Sequence, residues 1–126
     1  MTKYEAFYQF YSQFGLPAYE ENSVPSGDDF PGYPYLVYEV QLNSFSDTDT
    51  VLSFSIIDRT DSLIDSYDKS GEIAAYISRG GKVIAIDGGY MRIYRGSPWA
   101  QVQRDPNDEK VKRLYHTVNV AFYTNN

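Results

Sequence analysis

The second half of the chain alternates between apolar and polar positions with the period of a β-strand. Alternation runs up to Ile86 and resumes at Tyr90, after an Asp-Gly-Gly segment. Asp-Gly between two such runs predicts a hairpin, because glycine supplies the positive φ that the turn requires. A second turn is predicted at Asp105-Pro106-Asn107-Asp108. In the alternating segment that follows it, one side consists of Leu114, His116, Val118, Val120 and Phe122. The pattern predicts a twisted antiparallel meander with one buried face.

Two further alternating runs, residues 35–45 and 51–59, precede the meander in the chain. A polar turn at 46–50 separates them, so they predict an antiparallel hairpin. Residues 16–21 fit a short edge strand. Residues 22–35 are rich in proline and glycine and predict a surface loop, since proline removes backbone donors and glycine disfavours order. A loop of this length in a compact domain is typical of segments that carry function or contact a partner.

Residues 3–14 have the apolar spacing of a helix, and Gly15 and Pro17 predict its end. The stripe at i, i+3, i+4 and i+7 consists of Tyr4, Phe7, Tyr8 and Tyr11. Two more aromatic residues, Phe10 and Phe14, fall on the flank. Two interpretations therefore stay open: the helix docks only on the sheet, or it also packs against a neighbouring subunit.

Residues 61–79 predict a second helix, with Ser62 as the N-cap, Asp65 at the capping-box position and Gly80-Gly81 at the end. Gly71, with small residues near it, predicts a close approach of this helix to the sheet. The expected buried stripe consists of Leu63, Tyr67, Ser70, Ala74 and Ile77.

The order of these elements predicts an α+β fold in one domain, residues 1–126. Its antiparallel twisted sheet combines a hairpin with a C-terminal β-meander, and two helices pack on one face. The chain has no cysteine, which excludes disulfides and thiolate metal sites. No apolar run approaches the length of a membrane span, and the N-terminus lacks the apolar core of a secretion signal, so neither is expected.

Charge is distributed unevenly along the chain, which has a net charge of −6. Residues 1–78 hold thirteen acidic and three basic residues, and residues 79–126 hold four acidic and eight basic ones. Overall acidity argues against a general nucleic-acid binder, which needs a concentrated basic patch. The asymmetry is compatible with chance and solubility, or with an acidic face of one subunit meeting a basic face of the next.

Candidate chemistry is sparse. His116, the sole histidine, alternates with Leu114 and Val118, so a half-buried structural role is expected rather than a catalytic base. The oxygens around Asp105 bunch as in a calcium loop, but their spacing is not that of an EF-hand and a hairpin turn explains them. The glycine pairs lack the Gly-Lys-Ser/Thr of a phosphate loop. We therefore expect no enzyme, no catalytic residue, no metal and no cofactor.

Trp99 stands among three arginines, Arg92, Arg95 and Arg104. One interpretation is a solvated strand face with a tryptophan that anchors the loop. The other is an interface, because tryptophan and arginine often carry the binding energy of protein contacts. On the second interpretation, the interface residues are Arg92, Arg95, Trp99 and Arg104, together with Tyr4, Phe7 and Tyr11 of the first helix.

Five short pieces of the chain carry a resemblance to a known family. They are Phe-Gly-Leu-Pro-Ala-Tyr (14–19), Tyr-Pro-Tyr-Leu-Val-Tyr-Glu-Val (33–40), Lys-Val-Ile-Ala-Ile-Asp-Gly-Gly-Tyr (82–90), Arg-Gly-Ser-Pro-Trp-Ala-Gln (95–101) and Asp-Pro-Asn-Asp (105–108). In this order they resemble the tail terminator proteins, also called minor capsid or tail completion proteins, of long-tailed bacteriophages. Gly32-Tyr33 resembles a small insertion in the family pattern.

The resemblance implies a structural virion protein, assembled in the host bacterial cytoplasm and located at the phage neck. Its implied partners are further copies of itself in a ring, usually of six subunits, the tail-tube protein and a head-side connector protein. Such a ring stops tube polymerisation and joins tail to head, and DNA only passes through its channel. Three alternatives stay open: another head–tail connector such as a head-completion protein, a small ligand-binding or enzymatic α+β domain, and a nucleic-acid module.

Overall fold

A computed structural model describes residues 1–44 and 49–125. Its elements in chain order are α1 (Lys3–Ser12), β1 (Ala18–Glu20), a 3₁₀ turn (Gly27–Asp29), β2 (Tyr35–Tyr38), β3 (Thr50–Arg59), α2 (Ile64–Ile77), β4 (Lys82–Ile86), β5 (Gly89–Asp105) and β6 (Asp108–Thr124). Within this part of the chain, six strands form one sheet in the order β1-β2-β3-β6-β5-β4. The fold is therefore α+β, and the predicted C-terminal meander is confirmed as β4-β5-β6.

The two predicted hairpin turns form where local chemistry places them. Ile86 pairs with Gly89 across Asp87-Gly88, and Gly88 has a φ of 81°. At the second turn the Asp105 carboxylate accepts a 2.7 Å hydrogen bond from the backbone N–H of Asn107. Such a bond stabilises the turn from within, through residues that are adjacent in sequence.

The sheet is not wholly antiparallel, and this corrects the prediction. β1 runs parallel to β2, with Ala18 opposite Leu36. The segment between them, which contains the 3₁₀ turn, must return the chain to the end of the sheet where β1 began, because the two strands run in the same direction. The predicted hairpin of β2 and β3 is antiparallel as expected, with Leu36 opposite Ile56. β2 ends at Tyr38, much earlier than the predicted residue 45, and part of the predicted turn at 46–50 lies outside the described residues.

Both helices pack on one face of the sheet, here called the helix face, which carries Phe54, Met91 and Val118. The pattern predicted one buried face, yet Ser53 and Ser55 are buried on the opposite, outer face. Glu39 covers the first, since its carboxylate accepts a 2.8 Å bond from Ser53 N. Arg113 covers the second by donating to its hydroxyl at 3.2 Å. Longer polar neighbours thus shield the small residues of β3 from water.

The buried stripe of α1 is rotated relative to the prediction. Tyr4 and Tyr8 are 59% and 58% exposed, whereas Phe10 and Phe14 are buried with Phe7 and Tyr11. Phe10 and Phe14 turn inward because both meet the ring of Tyr76 on α2, at 6.0 and 5.5 Å between centroids. α1 therefore packs against both the sheet and α2, and Tyr4 and Tyr8 point to solvent.

α2 begins at Ile64, so its N-cap position is Leu63 and not the predicted Ser62. Leu63 makes no side-chain cap bond, but the Ser62 hydroxyl accepts a 3.4 Å hydrogen bond from Ile64 N at the helix start. Its buried stripe consists of Ser66, Ser70, Ile73 and Ile77. Ser70 and Ile77 match the prediction, but Tyr67 is exposed. Gly71 also lies on the exposed side, where an added Cβ meets nothing within 4 Å, so it does not bring the helix closer to the sheet.

Candidate interface and the core behind it

Trp99 lies in a bulge of β5. Arg95 pairs with Val118 and Ala100 with His116, so the residues between Arg95 and Ala100 all oppose a single residue of β6. Gly96 permits this because a Cβ there would lie 2.7 Å from the carbonyl oxygen of Thr117. Bulges re-aim side chains, and this one turns the indole of Trp99 onto the helix face, where it is half-buried against the core.

The indole of Trp99 belongs to a small polar network inside the core. Its Nε1–H donates to the hydroxyl of Ser70 at 3.1 Å, and Nε2 of His116 lies 2.8 Å from the same oxygen. The imidazole stacks on Phe54 with ring centroids 4.2 Å apart. His116 is fully buried, deeper than the half-buried position predicted for it. Burial lowers the pKa of His116 to about 4, so the ring is neutral at pH 7.

The three arginines around Trp99 in sequence do not form one cluster in space. Arg92 lies on the outer face, where its guanidinium donates to the Tyr94 hydroxyl at 3.3 Å. That contact is the main reason why the pKa of Arg92 is raised. Arg95 lies beside Trp99 in an open depression of about 300 Å³. Arg104 is exposed near the far turn, opposite Lys112. The interface predicted around Trp99 is thus divided among three regions.

Two of the predicted interface residues on α1 need correction. Phe7 and Tyr11 have no exposed surface, since Phe7 meets Phe122 and Tyr11 stacks on Tyr38. A partner could reach them only by unpacking α1, so they belong to the core. Tyr4 is exposed and keeps its place as a candidate contact residue.

Tyr4 lines an open groove that sequence reasoning missed. The groove measures about 600 Å³ and its apolar walls are Tyr4, Tyr8, Tyr38, Val40 and Leu42. Glu5 and Glu20 stand at its rim. The exposure of Tyr8 and Leu42 depends on how α1 is rotated and where β2 ends, and helical periodicity does not fix either one.

The predicted loop at 22–35 is ordered by aromatic rings. Phe30 meets Tyr33 and Tyr35 edge-on, at 5.3 and 5.4 Å between centroids. Tyr33 and Tyr35 also line a depression of about 320 Å³ on the outer face, together with Arg113. This loop therefore contributes side chains to the outer face.

The two ends of the sheet carry opposite charge. Residues 16–35, which form and flank β1, contain four acidic and no basic residues. Residues 79–95, which contain β4 and the first part of β5, have four basic residues and one acidic residue. α1 lies between the two ends and contacts both β1 and β4. The segments that contain the two edge strands thus differ in charge, with Glu20 on β1 itself and Lys82 on β4 itself.

Across residues 1–44 and 49–125, no group of His, Asp and Glu side chains is arranged to hold a metal ion. In the same part of the chain, neither helix has the length and apolarity needed to cross a membrane. No protein-family model, curated protein or solved structure matches this chain.

Proposed function

We propose that this protein is a structural subunit of a phage neck, which assembles into a ring that caps the head-proximal end of the tail tube and joins it to the head. The proposal combines the resemblance of five sequence pieces to tail terminators with one structural observation. That observation is the opposite charge of the two sheet edges, at β1 and at β4.

A ring needs two different patches on each subunit, because each copy must offer one surface to the copy before it and another to the copy after it. The acidic segment 16–35 and the basic segment 79–95 meet this requirement. Like charges oppose pairing of two identical edges, whereas unlike charges favour head-to-tail contact. Complementary charge sets the relative orientation of two subunits and speeds their association, but it adds little affinity. The contact therefore also needs apolar surface.

Apolar surface is present at the basic end. Val83 is 49% exposed and Tyr90 is 40% exposed. Tyr90 stacks on Tyr123 with centroids 4.8 Å apart, which holds both rings on the outer face. Exposed apolar groups rimmed by charge are typical of protein contact sites.

The test is to measure the solution mass by light scattering after size exclusion, with negative-stain images of the same fractions. We expect closed rings at low salt and smaller species at about 1 M salt, where the screening length falls to about 3 Å. Purified tail-tube protein is then polymerised with and without this protein. Tubes of unchanged length, with no density added at either end, would contradict the proposed function.

The apolar groove beside Tyr4 favours a second candidate, a small ligand-binding domain, since ligand sites are concave and mostly apolar. A thermal-shift screen distinguishes the two. A small molecule that raises the melting temperature of wild type, but not of a Tyr8→Lys variant, would support the ligand-binding function.

A further inference from the structure

The direction of each backbone N–H in the sheet follows from one bond. Thr60 N donates to Lys110 O at 2.8 Å, so even-numbered residues of β3 and β6 bond each other. The odd-numbered residues of β6 therefore direct their N–H and C=O groups toward β5. Since Tyr90 lies opposite Tyr123, the even-numbered residues in this part of β5 form hydrogen bonds to β6. Odd-numbered residues of β5 are left to bond β4, where Met91 lies opposite Ile84.

This alternation leaves Val83 and Ala85 with their N–H and C=O groups directed away from β5. In the described part of the chain, no strand pairs with that edge of β4. Both side chains are exposed on the outer face. An edge strand with free donors and acceptors and apolar side chains is a template for another strand.

Beside the same edge lies an open groove of about 520 Å³ between β4 and α1. Ala6 and Phe10 of α1 line it, with Tyr76 of α2 and Ile84 of β4. An added strand would turn every second side chain into this groove and the others toward the outer face. The groove therefore gives the incoming strand apolar contact in addition to backbone hydrogen bonds.

The β1 edge of a second copy fits this site. Pro17 O accepts from Leu36 N, and Glu21 N donates to Tyr38 O, so the backbone of Ala18 points away from β2. β1 is acidic at its end, with Glu20 followed by Glu21, whereas Lys82 and Arg79 stand at the start of β4. Opposite charge thus favours β1, and disfavours a second β4, as the occupant.

We propose that β4 of one copy pairs with β1 of the next, so that the sheet continues from subunit to subunit. This inference rests on the proposed function only in requiring that copies associate head to tail. Lys82 lies near the acidic end of the neighbouring β1 in this joint, and Val83 becomes covered.

The experiment compares two proline variants by light scattering over a concentration series. Ala85→Pro removes an N–H that bonds none of the described residues, so the monomer stays folded while the joint loses a hydrogen bond and meets the proline ring. We expect at least a tenfold weaker association. Val102→Pro is the matched control. Val102 lies opposite Leu114, and beyond the bulge this pairing directs its N–H away from β6, on a part of β5 that β4 does not reach. Association of this control should equal that of wild type.

Charge exchange provides a second readout that does not depend on proline. Lys82→Glu should weaken association, and the added change Glu21→Lys in the same chain should restore it. Equal assembly of wild type and Ala85→Pro, with both folded by circular dichroism, would overturn the joint and leave the ring function standing. A wild type that stays monomeric at every concentration also overturns it, while capping of tail tubes still tests the function separately.

Discussion

The indole Nε1–H of Trp99 donates a 3.1 Å hydrogen bond to Oγ of Ser70, and this bond ties the bulge of β5 to α2. The same oxygen lies 2.8 Å from Nε2 of His116. Trp99 and His116, which are distant from Ser70 in sequence, thus contact the same hydroxyl oxygen within an apolar core. Buried polar groups of this kind are costly when a partner is lost, so the network stabilises the fold and is the part of the Trp99 region least suited to contact a partner.

Removing the shared hydroxyl tests this role. Ser70→Ala leaves the Trp99 N–H and the His116 ring without their partner in the core, and we expect unfolding to become easier by about 1–3 kcal/mol. The measurement is urea unfolding followed by tryptophan fluorescence. Ser97→Ala, at an exposed site in the same bulge, is the control and should change stability by less than about 0.5 kcal/mol. Equal effects of the two substitutions would mean that the network contributes nothing.

The protein should become less stable as the pH is lowered from 6.5 to 4, because of His116. Its pKa is about 4 when folded against an ordinary value of 6.5, so above pH 6.5 the ring is neutral in both states. Between 6.5 and 4 only the unfolded chain takes up the proton, which removes about 3 kcal/mol of stability by pH 4. Urea unfolding at pH 7, 6 and 5 measures the slope. His116→Gln should flatten the slope over this range, and an unchanged slope would assign it to other groups.

The start of α1 is held by a capping box. Thr2 Oγ1 accepts from Glu5 N at 3.2 Å, and the Glu5 carboxylate accepts from Thr2 N at 3.0 Å. The bond from Thr2 N to the carboxylate is the main cause of the lowered pKa of Glu5. We expect Thr2→Ala to destabilise the protein by about 1 kcal/mol and Thr2→Ser to have little effect, as measured by thermal unfolding. Similar melting temperatures for the two variants would argue against the box.

Two glycine-to-alanine substitutions should change the stability of the protein in opposite directions. Gly71→Ala places a methyl group in open space on the exposed side of α2, and we expect a gain of about 0.5–1 kcal/mol from helix propensity. Gly89→Ala places a Cβ 2.0 Å from the Tyr123 carbonyl oxygen at a φ of 158°, so β5 must shift away from β6. We expect loss of stability in thermal unfolding. A stabilised Gly89→Ala variant would show that the register there is wrong.

The elements that sequence predicted best are those whose cause is local. The Asp87-Gly88 turn and the turn at 105–108 form because residues within each turn satisfy its backbone. The capping box at the start of α1 also has a local cause, since Thr2 and Glu5 carry its Thr-x-x-Glu signature. In contrast, the cap predicted at Ser62 is one residue before the N-cap position, Leu63, although the Ser62 hydroxyl does accept a 3.4 Å bond from Ile64 N. A matching residue type alone does not decide where the chain turns into the helix.

The type and order of the elements follow from the sequence, because hydrophobic period and turn chemistry act over a few residues. Which side of each element became buried depends on contacts between elements. α1 rotated toward Tyr76, so Phe10 is in the core and Tyr8 is outside. The bulge after Arg95 brought Trp99 to Ser70, and the order of strands left β1 and β4 as the oppositely charged edges. These outcomes depend on contacts between segments distant in the chain, which periodicity does not encode.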